Sequence, residues 1–185
     1  MKGLVLFRSH YGNTKQVADS VARQITSLGH EAIVQDLRQK FPDLQGLDFV
    51  LIGAPTRMAR VTGKALRVLK WLRKKGFTEK PIAVFDTYGP VPTKPEEMEK
   101  SRKWLYPGAA GIMQKVAKDQ GLNVYPETLR CEVQGLKGPL ADHQLEKQPY
   151  LHSNSYRRSV RSLKRERRLG HYGKRGPHKR AFCVP

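Results

Sequence analysis

The stretch Lys2-Gly3-Leu4-Val5-Leu6-Phe7-Arg8-Ser9-His10-Tyr11-Gly12-Asn13-Thr14-Lys15-Gln16-Val17-Ala18 changes character twice, and those changes decide the fold. Residues 2–8 carry Leu4, Val5, Leu6 and Phe7 in one unbroken run, the pattern of a strand covered on both faces. Residues 9–14 are polar and rich in hydroxyls around one glycine, Gly12. Beyond them Val17, Ala18, Val21, Ala22, Ile25 and Leu28 recur at steps of three and four, which marks an amphipathic helix. Gly29 stands where a C-terminal cap belongs, and Asn13 or Thr14 where an N-cap belongs.

The alternation continues outward from this unit. Residues 31–37 read as a second strand and the apolar run 49–54 as a third. Residues 62–75 form a basic helix with Leu66, Leu69 and Leu72 on one stripe and Val68 and Trp71 beside it, so Trp71 is expected in the core. Residues 81–85 read as a fourth strand, 111–120 as a helix closed by Gly121, 123–133 as a fifth strand, and 140–147 as the start of a last helix. The connection 38–48 contains Pro42 and has room for only a short helix. Strands alternating with helices imply an α/β fold, a doubly wound parallel sheet with helices on both faces.

The chain has 185 residues, 38% hydrophobic and 28% charged, which suffices for one domain with its own core. It has no glycine period, no long heptad run and only two cysteines, Cys131 and Cys183, which excludes collagen-like, coiled-coil and disulfide-scaffold classes. No apolar run approaches the ~18 residues of a membrane span, and Arg8 interrupts the N-terminal run too early for a signal-peptide core. The expectation is a soluble, cytoplasmic protein. Cys131, in a strand, reads as an inert core thiol, and Cys183 as exposed and without a redox partner.

The outlying quantity is the net charge of +19, from 35 Lys+Arg against 16 Asp+Glu. Residues 149–185 hold eleven Lys/Arg and one acid, Glu166, a net of +10, which leaves 24 bases and 15 acids, a net of +9, in residues 1–148. The tail has few apolar residues, with Tyr156, Val160 and Leu163 as its one narrow helical stripe, and it cannot bury enough surface to offset ordering entropy. Two regions are therefore expected: a folded domain, 1–148, and a basic tail of low order, 149–185.

In doubly wound sheets ligands bind beyond the carboxyl ends of the strands, at the switch point beside strand 1. Three loops reach that edge: residues 9–14, 55–62 and 86–92. The first offers backbone N–H groups, the Ser9 and Thr14 hydroxyls and a positive helix end, the components of a phosphate site. The same residues also suit a turn that merely caps the helix. A dinucleotide fingerprint fails because only Gly12 is present, and a Walker loop fails because Ala65 follows Gly63-Lys64 and Met58 stands where its first glycine belongs. The domain has no His-Glu-x-x-His, no Cys-x-x-Cys and no histidine cluster, so no metal site is expected. His10 sits in the first loop, as a site residue or as an exposed bystander.

Residues 7–18, Phe-Arg-Ser-His-Tyr-Gly-Asn-Thr-Lys-Gln-Val-Ala, resemble the flavodoxin signature, in which an apolar strand leads into Ser/Thr-x-Thr-Gly-x-Thr and an Ala follows four residues after the last Thr. Ser9, Gly12, Thr14 and Ala18 match, while Tyr11 replaces the central Thr. Val50-Leu-Ile-Gly-Ala-Pro-Thr56 is similar to the second flavin loop of that family and Val84-Phe-Asp-Thr-Tyr-Gly89 to the third, so the resemblance spans about residues 2–147. It implies a five-stranded sheet of order 2-1-3-4-5 and FMN held noncovalently. The phosphate would lie in the loop of Ser9, His10, Tyr11, Gly12, Asn13 and Thr14. The isoalloxazine would lie between the other loops, with Tyr88 on one face and Met58 or Arg57 nearest the other. Backbone groups of Pro55, Thr56, Arg57 and Met58, and of Thr87, Tyr88 and Gly89, would meet the ring edge. Trp104 and Tyr106, in the insertion-like segment 93–107, would either overhang the site or anchor their own loop.

The resemblance implies a redox protein, an electron carrier or a small flavin oxidoreductase. Carriers of this family are usually acidic around the flavin, and their negative field opposes electron uptake. Arg57, Arg60 and Lys64 replace that field here with a positive one, so a less negative flavin potential and acidic redox partners are expected. The flavodoxin-like protoporphyrinogen oxidase, also basic, is the enzymatic alternative. An alternative of another class is a nucleic-acid-binding protein working through the tail. There Arg157, Arg158, Lys164, Arg165, Arg167, Arg168, Lys174, Arg175, Lys179 and Arg180 are interleaved with Tyr150, Tyr156, Tyr172 and Phe182 and suit nucleic acid or an anionic membrane surface. A solvated extension without a dedicated partner fits the tail as well.

Overall fold

The computed structural model describes residues 1–135 and 137–145. The stretch that opens the chain folds as read: β1 (Lys2–Phe7) leads into α1 (Asn13–Ser27), and β2 (Glu31–Asp36) returns beside β1 in parallel. β3 (Phe49–Pro55) pairs with the other side of β1, Leu4 opposite Val50 and Leu6 opposite Ile52. α2 (Gly63–Lys74), β4 (Ile82–Tyr88), α3 (Pro95–Leu105), α4 (Gly108–Asp119) and β5 (Leu129–Glu132) complete the order. The strands lie as β2-β1-β3-β4-β5, all parallel. This is the doubly wound α/β arrangement that the alternation and the resemblance both imply.

Two-sided cover explains the unbroken apolar runs. Leu4, Leu6, Val50, Ile52, Ile82 and Val84 face one way and pack with Ala65, Val68, Leu69 and Leu72 of α2 and Ala109, Ala110, Met113 and Ala117 of α4. α1 covers the other face, burying Val17, Ala18, Val21, Ala22 and Ile25. Trp71 is half-buried rather than central; it stacks obliquely on Phe41 with ring centroids 4.8 Å apart, at the rim of the core.

Several expected elements differ. Gly12, not Asn13 or Thr14, is the N-cap of α1, because its φ of +95° lets the chain turn sharply from loop into helix. The connection 38–48 contains no helix: Phe41 and Leu44, either side of Pro42, turn onto the core instead. β4 runs three residues beyond Phe85, which keeps Asp86, Thr87 and Tyr88 in the ladder with β3 or β5. β5 begins only at Leu129; Val124 bridges Ile82, then Pro126 interrupts the ladder for want of an N–H. α3 was not anticipated, although Pro95 at its first position, Glu96 and Glu97 in its first turn and Arg102 and Lys103 in its last are ordinary helix-end signals. α4 begins at Gly108, three residues before the expected start. Residues 140–145 form a bridge to Val133 and a turn rather than the start of a helix. Gln144 is held there by accepting the Glu132 N–H at 3.0 Å. The remainder of that expected helix, the tail 149–185 and Cys183 lie outside the described residues. Among the described residues no helix is long and apolar enough to cross a membrane.

Candidate functional site

The first loop leaves β1 after Phe7 and enters α1 at Asn13. Ser9 Oγ accepts the Gly12 N–H at 3.0 Å, which closes the turn. Gln16 N–H, donating to Gly12 O at 2.9 Å, makes the first α1 bond, and the amides of Asn13, Thr14 and Lys15 precede any intrahelical acceptor. Those amides and the positive helix end form an anion-facing cradle. Thr14 Oγ1 lies 2.8 Å from Thr87 Oγ1 in a buried contact that ties the first loop to the third. Asn13 Nδ2 donates to Lys137 O at 3.0 Å. His10 is exposed, and its imidazole is held below its ordinary pKa by partial burial and by the cations Arg8, Arg57 and Arg38.

The second loop is a tight turn. Arg57 N–H donates to Arg60 O at 3.1 Å and Arg60 N–H to Arg57 O at 2.9 Å, with Met58 and Ala59 between them at φ +48° and +58°. Two successive left-handed residues between bridged neighbours are the pattern of a type I′ turn, which usually takes Asn and Gly. The turn holds Met58 outward, 74% exposed.

Behind the loops lies a charged network that the sequence did not announce. Asp86, wholly buried at the end of β4, accepts the Thr56 hydroxyl at 2.6 Å and the Ala110 N–H at 3.3 Å. Thr56 Oγ1 in turn accepts the Ala109 N–H at 2.7 Å. Asp86 therefore serves α4, which has no acid in its own first turn, as the carboxylate at its positive end. Arg130 of β5 closes the network, with Nε 3.0 Å from Asp86 Oδ1 and Nη2 3.2 Å from Oδ2. Nη2 also donates to Leu105 O at 2.8 Å. The guanidinium carbon lies 4.6 Å from the Tyr88 ring centroid and 5.2 Å from that of Tyr106. Gly108, at φ +71°, passes so close that an added Cβ would strike the Arg130 guanidinium and lie 2.7 Å from Asp86 Oδ2. Burial raises the Tyr88 phenol above its ordinary pKa, helped by the carboxylate of Glu132.

The loops meet around a cleft of about 360 Å³. Ser9, His10, Tyr11, Asn13, Thr14, Pro55, Thr56, Arg57, Met58, Thr87, Tyr88 and Gly89 line it, so twelve of the thirteen residues singled out from the sequence come together. Gly12 lies to one side, on a neighbouring groove with Lys15, Asp36 and Arg38. Trp104 overhangs the cleft, whereas Tyr106 instead stacks on Arg130. Leu105, Val133 and Gly135 also line it and were not foreseen. Asp86 and Arg130 were missed too: they meet only because the register of β4 against β5 sets them opposite each other.

A family model described as a flavodoxin domain matches residues 4–124. The chain belongs to that family. No curated protein matches it in sequence. Among solved structures, the fold is similar to a flavodoxin from the domain Archaea at 19% identity and TM-score 0.61, over 85% of this chain and 98% of that one. It is similar to oxidised flavodoxin 1 of Bacillus cereus at 24% identity and TM-score 0.58, over 80% and 91%. The Flv1 flavodiiron core from Synechocystis matches at 16% identity and TM-score 0.65, over 88% of this chain but 36% of that larger one. The family match contains all three loops of this flavodoxin domain and ends before β5, so Arg130 lies outside it.

A cationic stripe starts at the second loop, whose Arg57 lines the cleft. Residues 49–78 contain Arg57, Arg60, Lys64, Arg67, Lys70, Arg73, Lys74 and Lys75 and no acid. Among the described residues none of these eight forms an ion pair. The stripe runs from the second loop along the exposed side of α2.

Proposed function

We propose that this flavodoxin domain binds FMN noncovalently in the cleft and moves electrons through it, as a carrier between partner proteins or as a small flavin oxidoreductase. The reading rests on one observation: a single cleft joins an anion-facing cradle at the start of α1 to an aromatic wall at Tyr88. The donors fit the group, since a phosphate needs amides and hydroxyls and a flavin ring needs a flat apolar wall. When bound there, FMN would supply reversible electron uptake. The amides of Asn13 and Thr14 and the hydroxyls of Ser9 and Thr14 would hold the phosphate. Tyr88 forms one wall of the ring site, with Arg57 and Met58 nearest the other. The backbone of residues 55–58 and 87–89 would meet the ring edge.

Arg57, Arg60 and Lys64 stabilise negative charge gained on reduction, so the midpoint potential lies above that of an acidic flavodoxin. The same field favours acidic redox partners and repels basic ones. The reading keeps the cytoplasmic setting expected from the sequence. Potentiometric titration of the FMN-loaded chain beside an acidic flavodoxin under the same conditions tests it. A less negative midpoint is expected; an equal or lower one contradicts the electrostatic part, and a chain that takes up no electrons reversibly contradicts the redox role.

A further inference from the structure

Three residues on three different parts of the cleft wall share one tether. Thr56 belongs to the second loop, Tyr88 to the end of β4 and Leu105 to the end of α3, and all three line the cleft. Each is held by the Asp86–Arg130 pair. Thr56 donates its hydroxyl to Asp86 at 2.6 Å, Leu105 offers its carbonyl to Arg130 Nη2 at 2.8 Å, and the Tyr88 ring lies against the Arg130 guanidinium. Arg130 does not itself line the cleft, so its cation sits behind Tyr88 as seen from the ligand. The Tyr106 ring also lies near the guanidinium, at 5.2 Å, and the Arg130 side chain is only 17% exposed.

We infer that Arg130 is a positioning residue for the ligand: it fixes the plane of Tyr88 and the separation of the three walls. The inference rests on the proposal that FMN occupies the cleft, and adds to it a residue outside the matched family span. A guanidinium is suited to this work because it is planar, stacks on aromatic faces and presents a fork of donors at fixed angles. Here the fork binds both Asp86 oxygens while one nitrogen also reaches Leu105 O. A lysine keeps the charge and one contact at a time, but can neither stack flat nor hold two walls together. The ring behind which it sits would then be free to tilt, and the slot for a flat ligand would lose its fixed width.

The test uses the full-length chain with FMN as probe and two variants, Arg130→Lys and the paired change Asp86→Asn with Arg130→Met. The paired change removes both charges together, so it leaves no unpaired buried ion. Dissociation constants are measured by flavin fluorescence, and the near-ultraviolet circular dichroism of the apoprotein reports the tyrosine environment. In folded variants we expect the FMN dissociation constant to rise at least tenfold, with a changed tyrosine signal before any flavin is added. A constant within twofold of the unaltered chain in a folded variant overturns the role of Arg130. Should the unaltered chain itself fail to bind FMN, the cofactor reading falls, and this inference with it. The first failure appears only in the variants and the second already in the parent, which keeps them distinct.

Discussion

Met58 and Ala59 occupy backbone conformations that side chains with a Cβ rarely adopt, at φ +48° and +58°. Each left-handed non-glycine residue costs roughly 1–3 kcal/mol, and the turn between Arg57 and Arg60 carries two. Ala59→Gly removes one such strain at the expense of more backbone entropy on folding. The expected gain is about 1 kcal/mol, read as a higher urea midpoint with an unchanged slope; a loss of stability would show that the turn is not strained. His10 gives a second residue-scale prediction. Its pKa is lowered in the fold, so the unfolded chain takes up the proton first, and the His10 contribution to stability is lost as pH falls through the ordinary imidazole range. A bound phosphate would draw that proton back. The ratio of FMN dissociation constants, His10→Gln over unaltered, should therefore rise as pH falls; a ratio flat with pH would remove His10 from the phosphate end. That Ser9, His10 and Thr14 lie at the sheet edge was legible because local pattern marks them: a polar loop between a strand run and a helix stripe. Sequence reading passed over Arg130 because its contact with Asp86 depends on the register between β4 and β5, which no spacing in the chain records.

At the scale of elements, what was legible was whatever repeats. The apolar runs of β1 and β3 and the stripes of α1 and α2 come from burial on both faces of one sheet. α3 was missed because only Leu105 of its residues is buried, so it writes almost no apolar stripe into the sequence. β5 was overextended because Asn123 to Val133 has strand-like residues while Pro126 breaks the ladder. The N-cap of α1 was misplaced because a side-chain cap was expected where left-handed Gly12 does the turning. α2 carries the prediction at this scale. Its exposed side and the adjoining turn present an acid-free cationic stripe, so the paired change Arg67→Glu and Lys70→Glu should slow association with an acidic iron–sulfur ferredoxin used as probe. It should also flatten the dependence of that rate on salt. An unchanged rate and salt slope, measured by stopped flow, would show that partners approach from elsewhere.

For the whole molecule, the charge of +19 divides into +10 in residues 149–185 and +9 in residues 1–148. The domain's share includes Arg57 in the cleft wall and the cations that follow it along α2. The remaining share belongs to residues outside those described, and the flavin reading does not draw on it. Central to the account is one claim: three loops, brought to one edge by the order β2-β1-β3-β4-β5, form a site for FMN. Titrating the purified full-length chain with FMN, and following the flavin's fluorescence and visible absorption, tests it most directly. Saturable binding of one FMN per chain is expected, weakened at least tenfold by Thr14→Val, which removes the hydroxyl shared between the first loop and Thr87 while keeping the shape. Flavin that stays fully fluorescent and unshifted at chain concentrations of tens of micromolar would contradict it.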